Sequence, residues 1–152
     1  MGDKQVILLS YQDIKQGPHR RHYTDGVNQL GVQVPGWTEL TAEALAARVA
    51  MGPQRLYLVT DDPGPGQVYA MACALTYSGV LDANATHVFD VALADATALG
   101  NLDLILNHIE TIASASAIHV DCSNVAMAQH LFAHRGYSAR TNACTKILSA
   151  GP

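Results

Sequence analysis

One carboxylate, Asp90, interrupts the apolar, β-branched run His87 to Leu93. A carboxyl group buried in such a strand has a raised pKa and can take a proton from an amine, which is general-base chemistry. The bland alternative is a rim aspartate that faces solvent or a helix. By the two-residue period of a strand, Val88 and Ala92 share its face while Phe89, Val91 and Leu93 take the other. Among seven histidines, His130 and His134 stand i, i+4 on a helical segment, half a zinc site, but no H-E-x-x-H glutamate or third ligand accompanies them. They read as surface helix residues, and no metal is expected. His119 lies on a short apolar stretch that ends at Cys122, beside Asp121 and Ser123. A cysteine nucleophile needs a nearby base, which His119 is close enough to supply; a small buried thiol is the commoner outcome. The three cysteines, Cys73, Cys122 and Cys144, have no C-x-x-C spacing, so neither a disulfide framework nor a zinc knuckle is indicated and a reducing cytoplasm is the natural setting.

The elements that position these groups follow from periodicity. Gln5 to Ser10 is a strand. Tyr11 to Val34 is polar, broken by Gly17-Pro18, and reads as a short helix or loop pair. Thr38 or Thr41 caps a helix through Met51, with Glu43 favouring its first turn, and Gly52-Pro53 ends it. Arg55 to Thr60 and Gln67 to Ser78 are strands of an antiparallel hairpin joined by Asp61-Asp62-Pro63-Gly64-Pro65-Gly66, which is turn chemistry and no phosphate loop. Val80 to Thr86 is a looser connection into the strand that holds Asp90. After the small-residue loop Ala94 to Asn101, the residues Leu102, Ile105, Leu106, Ile109, Ile112 and Ala113 recur at helical spacing and bury one stripe. Ala117 to Asp121 is a buried strand. A second helix follows Ser123 or Asn124 as N-cap and stops at Gly136, with His134 and Arg135 in its last turn. Thr145 to Leu148 is a closing strand.

Strand, helix, strand in this order is a βαβ unit, which sets a helix N-terminus at the carboxyl end of a strand, where backbone N–H groups favour an anion. The segment Asn124-Val-Ala-Met-Ala-Gln-His-Leu-Phe132-Ala-His-Arg-Gly136-Tyr137 resembles the late pattern of the GNAT superfamily of N-acyltransferases: Asn, then Ala, then an aromatic, then Gly-Phe or Gly-Tyr. The element order fits over nearly the whole chain, and the motif match is confined to its second half. The resemblance implies an α+β fold over one domain, 1–152, with a strongly bent mixed sheet of six or seven strands flanked by about four helices and a parallel pair formed by 87–93 and 117–121. It implies acetyl-CoA or another acyl-CoA as co-substrate. Backbone groups of Val91, Ala92 and Leu93, where the parallel strands splay, would pair with the pantetheine chain. Asn124 would either bond that arm or serve only as a helix cap. Thr97, Gly100 and Asn101 would face the pyrophosphate, Phe132 the donor, and Tyr23, Trp37, Tyr69 and Tyr77 would wall the acceptor pocket, where aromatic rings suit an amine and a hydrophobic core equally.

Two departures bear on activity. The family's pyrophosphate loop reads Arg or Gln, two residues, Gly, one residue, Gly or Ala; here the register is Thr97-Ala98-Leu99-Gly100-Asn101-Leu102, with only Gly100 retained. Leu102 then stands where a small residue would admit phosphate, and Thr97 replaces the cationic or amide side chain. Phe132 replaces the tyrosine that many members carry as proton donor to the leaving thiolate. Two functions remain: an acyl-CoA-dependent N-acyltransferase acting on a small primary amine or amino acid by direct attack on the thioester, or a catalytically inactive GNAT-fold binding or regulatory protein. A donor without the nucleotide end, such as an acyl-carrier phosphopantetheine, would reconcile the retained strand splay with the altered loop.

A chain of 152 residues suffices for one domain with a sizeable core. With 49% hydrophobic and 14% charged residues its surface suits association with a second copy, a homodimer. A net charge of −4 argues against a general nucleic-acid or anionic-membrane surface, with only His19-Arg20-Arg21-His22 running the other way. The first residues hold too short an apolar run for a signal peptide, Val6 stands where myristoylation needs Ser or Thr, and no stretch is long enough to span a membrane.

Overall fold

A computed structural model describes residues 3–62, 66–78, 84–112, 117–122, 124–140 and 143–147. Strand β1 (Asp3–Leu8) passes to α1 (Tyr11–Lys15) through Ser10. The Ser10 hydroxyl accepts from the Asp13 N–H and the Asp13 carboxylate accepts from the Ser10 N–H, a capping box. Gly17-Pro18 separates it from α2 (Arg20–Gly31), so the segment 11–34 holds two helices. Helix α3 (Ala42–Ala50) starts at Thr41, whose hydroxyl accepts from the Ala44 N–H. Strands β2 (Arg55–Asp62), β3 (Val68–Tyr77) and β4 (Ala85–Leu93) follow, then α4 (Gly100–Ile112), β5 (Ala117–Asp121) and α5 (Val125–Arg135). Asn124 caps α5 by accepting from the Met127 N–H at 2.8 Å, and Gly136 ends it at φ 71°. Ser123, the other candidate cap, and Pro63-Gly64-Pro65 lie outside the described residues. Strands β6 (Ser138–Arg140) and β7 (Ala143–Ile147) complete the chain. The fold is α+β, with five helices among the described residues where about four were expected. The extra one comes from the polar segment 11–34, whose weak periodicity hid the five-residue α1 and the twelve-residue α2.

One mixed sheet carries the order β1-β2-β3-β4-β5-β7-β6. All neighbours are antiparallel except β4 and β5, which are parallel from Ala85–Ala117 to Val88–Val120. The expected parallel pair therefore exists, but it is short: beyond Val88 the strand β4 continues to Leu93 paired with β3 alone. Residues of β2 alternate between two cores. Tyr57 and Val59 pack with α4 and α5 residues such as Leu102, Ile105 and Leu131, while Leu56 and Leu58 pack with Val27, Leu30 and Leu45 of α2 and α3.

In β4 the alternation breaks. Met71 pairs with Ala92 and Cys73 with Phe89, so Asp90 and Val91 together oppose one residue, Ala72: a β-bulge. Asp90 has φ 53°, a left-handed conformation that aspartate tolerates better than most residues. The bulge corrects the expected face assignment. Val88, Val91 and Leu93 all face α4 and α5, and Ala92 faces α2 and α3, so Val88 and Ala92 lie on opposite sides.

Candidate functional site

Asp90 stands where the parallel pairing ends. It is half-buried, and its pKa is raised, first by desolvation, then by the carboxylate of Asp121, with His87 opposing. His87 Nε2 lies 2.9 Å from Asp121 Oδ2, so β4 and β5 contribute an acid–imidazole pair beside it. Two cavities meet at Asp90. One is a cleft of about 390 Å³ at the strand opening, lined by Gln33, Val34, Pro35, Asp90, Val91, Asp121 and Cys122. The other is a pocket of about 100 Å³ between the sheet and α2 and α3, whose walls include Trp37, Leu40, Met71 and Cys73, with Arg48 and Arg55 also lining it. Burial, then the Asp90 carboxylate, pushes the Cys73 thiol up to about 12, which leaves it inert at neutral pH. Cys122 lies in the cleft with its Sγ 3.8 Å from the Val120 carbonyl oxygen.

The open edge of β4 is not free. The Ala94 N–H donates to the Tyr69 carbonyl on β3, so by alternation the N–H and C=O of Leu93 point to the opposite edge, the one β5 has left. There the Gln33 side chain pairs with both: its Nε2 donates to Leu93 O at 2.7 Å and Leu93 N–H donates to its Oε1 at 3.4 Å. Nothing in the sequence marks Gln33, a polar residue in a loop. Asp121 and His87 were equally invisible as partners, because their meeting depends on which strands are neighbours.

The loop before α4 is stitched to itself. The Asp95 carboxylate accepts from both the N–H and the hydroxyl of Thr97, at 2.9 and 2.7 Å, and these bonds lower its pKa. The Ala98 and Asn101 N–H groups donate to Asp95 O and Ala98 O. The buried Asn101 side chain accepts from Lys4 Nζ at 3.1 Å, and Gly100 is exposed at the first position of α4. Leu102, on α4, is fully buried in the core that α4 and α5 form with the sheet. Phe132 is exposed on α5.

Of the four aromatic residues expected at the acceptor pocket, Trp37 lines the smaller cavity together with Asp90. Tyr23 sits among His19 and His22 on α2. Tyr69 donates to Asp61 at 2.8 Å beneath the Lys4 ammonium. Tyr77 pairs with Ala85 at the far end of β4, five residues or ~17 Å of strand from Asp90. His130 is tied to Asp103 at 2.8 Å, and among the described residues no group of three His, Cys, Asp or Glu side chains is placed to hold a metal ion. No helix among those residues is long and apolar enough to cross a membrane.

No protein-family profile and no curated protein sequence matches the chain. Solved structures do. A probable acetyltransferase from Staphylococcus epidermidis superposes with a TM-score of 0.69 at 13% identity, over 97% of this chain and 100% of that one. A GNAT family acetyltransferase from Brucella melitensis, in complex with acetyl-CoA, gives 0.63 at 13% identity over 100% and 92%. An aminoglycoside acetyltransferase from an uncultured soil metagenomic sample, in complex with sisomicin, gives 0.64 at 9% over 91% of each chain. The architecture is thus one shared by acyl-transfer proteins. The chain has the fold of the GNAT acetyltransferases, as the pattern in its second half implied.

Proposed function

We propose that this chain is an acyl-CoA-dependent N-acyltransferase that acts on a small primary amine or amino acid by direct attack on the thioester. The observation that carries the reading is that Asp90 borders both the cleft at the strand opening and the apolar pocket. An amine held in the pocket and a thioester held in the cleft meet at that carboxylate. Asp90 accepts a proton from the ammonium, the amine nitrogen bonds to the acyl carbon, and as the carbon–sulfur bond breaks the nitrogen releases its second proton to water. The thiolate, of a thiol with pKa near ~8.5, leaves as the anion and takes its proton from water, so Phe132 need supply none. Alignment of the two reactants contributes ~7 to 11 kcal/mol in favourable cases, which is why positioning outweighs a dedicated acid here.

The donor's arm and its nucleotide end fit unequally. An extended amide chain matches the edge of β4 at 91–93. The Asp95 carboxylate, held ionised in the loop before α4, opposes a pyrophosphate there. Acyl donors that present phosphopantetheine without a nucleotide therefore suit the site at least as well as acetyl-CoA. On the acceptor side, neither Arg48 nor Arg55 forms an ion pair among the described residues, and both line the pocket that ends at Asp90. A cationic rim and an anionic end favour an amino acid over a simple amine. The same reading takes the chain as a single cytoplasmic domain.

The second reading, a GNAT-fold binding protein without catalysis, draws on the Asp95 loop. The two are separated by a screen of amines and amino acids against acetyl-CoA and acyl-phosphopantetheine donors, with free thiol as the readout, beside Asp90→Asn and Cys122→Ser. Acylation lost in Asp90→Asn and kept in Cys122→Ser is the expected result. No acylation of any acceptor hands the case to the binding protein, and loss in Cys122→Ser alone requires an acyl-cysteine route.

A further inference from the structure

We infer that Gln33 is a built-in competitor for the acyl donor, occupying with its own side-chain amide the two backbone groups of Leu93 that an amide of the donor arm needs. The inference rests on reading the open edge of β4 as the donor site, and it concerns a residue that this reading alone does not single out. Three observations carry it. Leu93 presents its N–H and C=O to the edge that β5 has left, because its neighbour Ala94 is bonded to β3. A primary amide, with one donor and one acceptor on the same carbon, satisfies such a pair as a second strand would, and Gln33 does so at 2.7 and 3.4 Å. Gln33, Val34 and Pro35 also form one wall of the cleft whose other wall is Asp90, Val91, Asp121 and Cys122.

The loop that delivers Gln33 is itself anchored. Its N–H donates to Leu30 O, the Val34 N–H to Gly31 O and the Trp37 N–H to Val34 O. The Trp37 indole lies against Gly31, where a Cβ would overlap it. The backbone can therefore stay in place while the side chain rotates out, so displacement needs no unfolding. Until it rotates, the Leu93 groups have a partner and the buried edge is not left unsatisfied. Donor binding then exchanges one amide for another at Leu93, with no gain in the number of hydrogen bonds. Removing the Gln33 amide restores that gain.

The test compares the parent chain, Gln33→Met and Gln33→Glu in titrations with pantetheine alone and with acetyl-CoA, followed by the Leu93 amide resonance. Methionine keeps the length and cannot pair; glutamate can still accept from the Leu93 N–H but cannot donate to its carbonyl. Expected are a drop in the pantetheine Kd of about three- to tenfold for Gln33→Met, the worth of about one net hydrogen bond, and an intermediate value for Gln33→Glu. Equal or weaker pantetheine binding by Gln33→Met, or a Leu93 amide that no probe moves in any of the three proteins, overturns the inference. If pantetheine binds more tightly to Gln33→Met while no acyl group is ever transferred, the competitor role stands and the enzymatic reading falls.

Discussion

Asp90 has a left-handed backbone, which costs stability in either protonation state, and partial burial and a second carboxylate, Asp121, as neighbour, both of which cost stability while it is ionised. Its folded-state pKa is raised above the ordinary 3.8, so protonation stabilises the fold. That contribution is fully present below the unfolded value and is lost as pH rises through the folded one. Asp90→Asn, which tolerates the same φ, is therefore expected to melt higher than the parent at pH 7, with the difference closing as pH falls towards 3.8. Turnover moves the other way, down by ~10² or more, and the acid limb of the pH–rate profile disappears with it. A variant that is both less stable and fully active would remove Asp90 from the chemistry. At the pocket rim, Arg48→Gln and Arg55→Gln should each raise KM about tenfold for an amino acid and leave KM for the matching decarboxylated amine unchanged, since only the former brings a carboxylate. Equal effects on both acceptors would show that the arginines do not read charge. Asp90 could be found by eye because a lone carboxylate broke an apolar run. Arg48, in the last turn of a helix, carried the ordinary signature of a dipole-compensating residue and hid the other possibility.

The elements themselves were legible wherever hydrophobic period and caps agreed. Asn124 and Gly136 bracketed α5, and the stripe from Leu102 fixed α4. What periodicity could not supply was the bulge, because one extra residue in β4 leaves composition unchanged and reverses every face assignment across it. The clamp between α4 and α5 was hidden for a similar reason. Arg135, at the end of α5, reaches Glu110 at 2.5 Å, Asn107 at 2.8 Å and Asp103 at 3.5 Å on α4, while the Tyr137 hydroxyl donates to Glu110 at 3.0 Å. In the sequence these are scattered charges separated by a strand. The Arg135 and Glu110 side chains are only 11% and 15% exposed, so breaking the pair strands a carboxylate away from water. Arg135→Met is expected to destabilise by about 3 kcal/mol, read as a shifted denaturant midpoint with an unchanged slope. Donor affinity should fall far less, because none of the clamp residues lines either cavity at Asp90. A loss of donor binding as large as the loss of stability would mean instead that α4 is positioned by this clamp.

Over the whole molecule, charge would decide what kind of donor the proposed site admits. The chain carries a net charge of −4, and its expected anion loop adds a carboxylate at Asp95 that is held below the usual range by Thr97. Four backbone N–H groups of this stretch, those of Thr97, Ala98, Asn101 and Asp103, are already bonded within the protein. A pyrophosphate arriving there meets a like charge at Asp95, offset in part by the Lys4 ammonium on Asn101, and few available donors, whereas an uncharged pantetheine arm meets neither obstacle. The sign of the salt dependence separates this field from that of a built phosphate site. A phosphate site loses affinity as salt rises, because its attraction is screened. Here the repulsion is screened, so acetyl-CoA should bind more tightly at 0.5 M than at 0.05 M salt, and pantetheine should be indifferent. Asp95→Asn keeps an oxygen that can accept from Thr97 and removes the charge; it should tighten acetyl-CoA about three- to tenfold at low salt, abolish the salt effect and leave pantetheine unmoved. Calorimetry in which acetyl-CoA weakens with salt in the parent chain would mean that cationic groups draw the nucleotide in despite Asp95, and the loop would have to be regarded as a working pyrophosphate site.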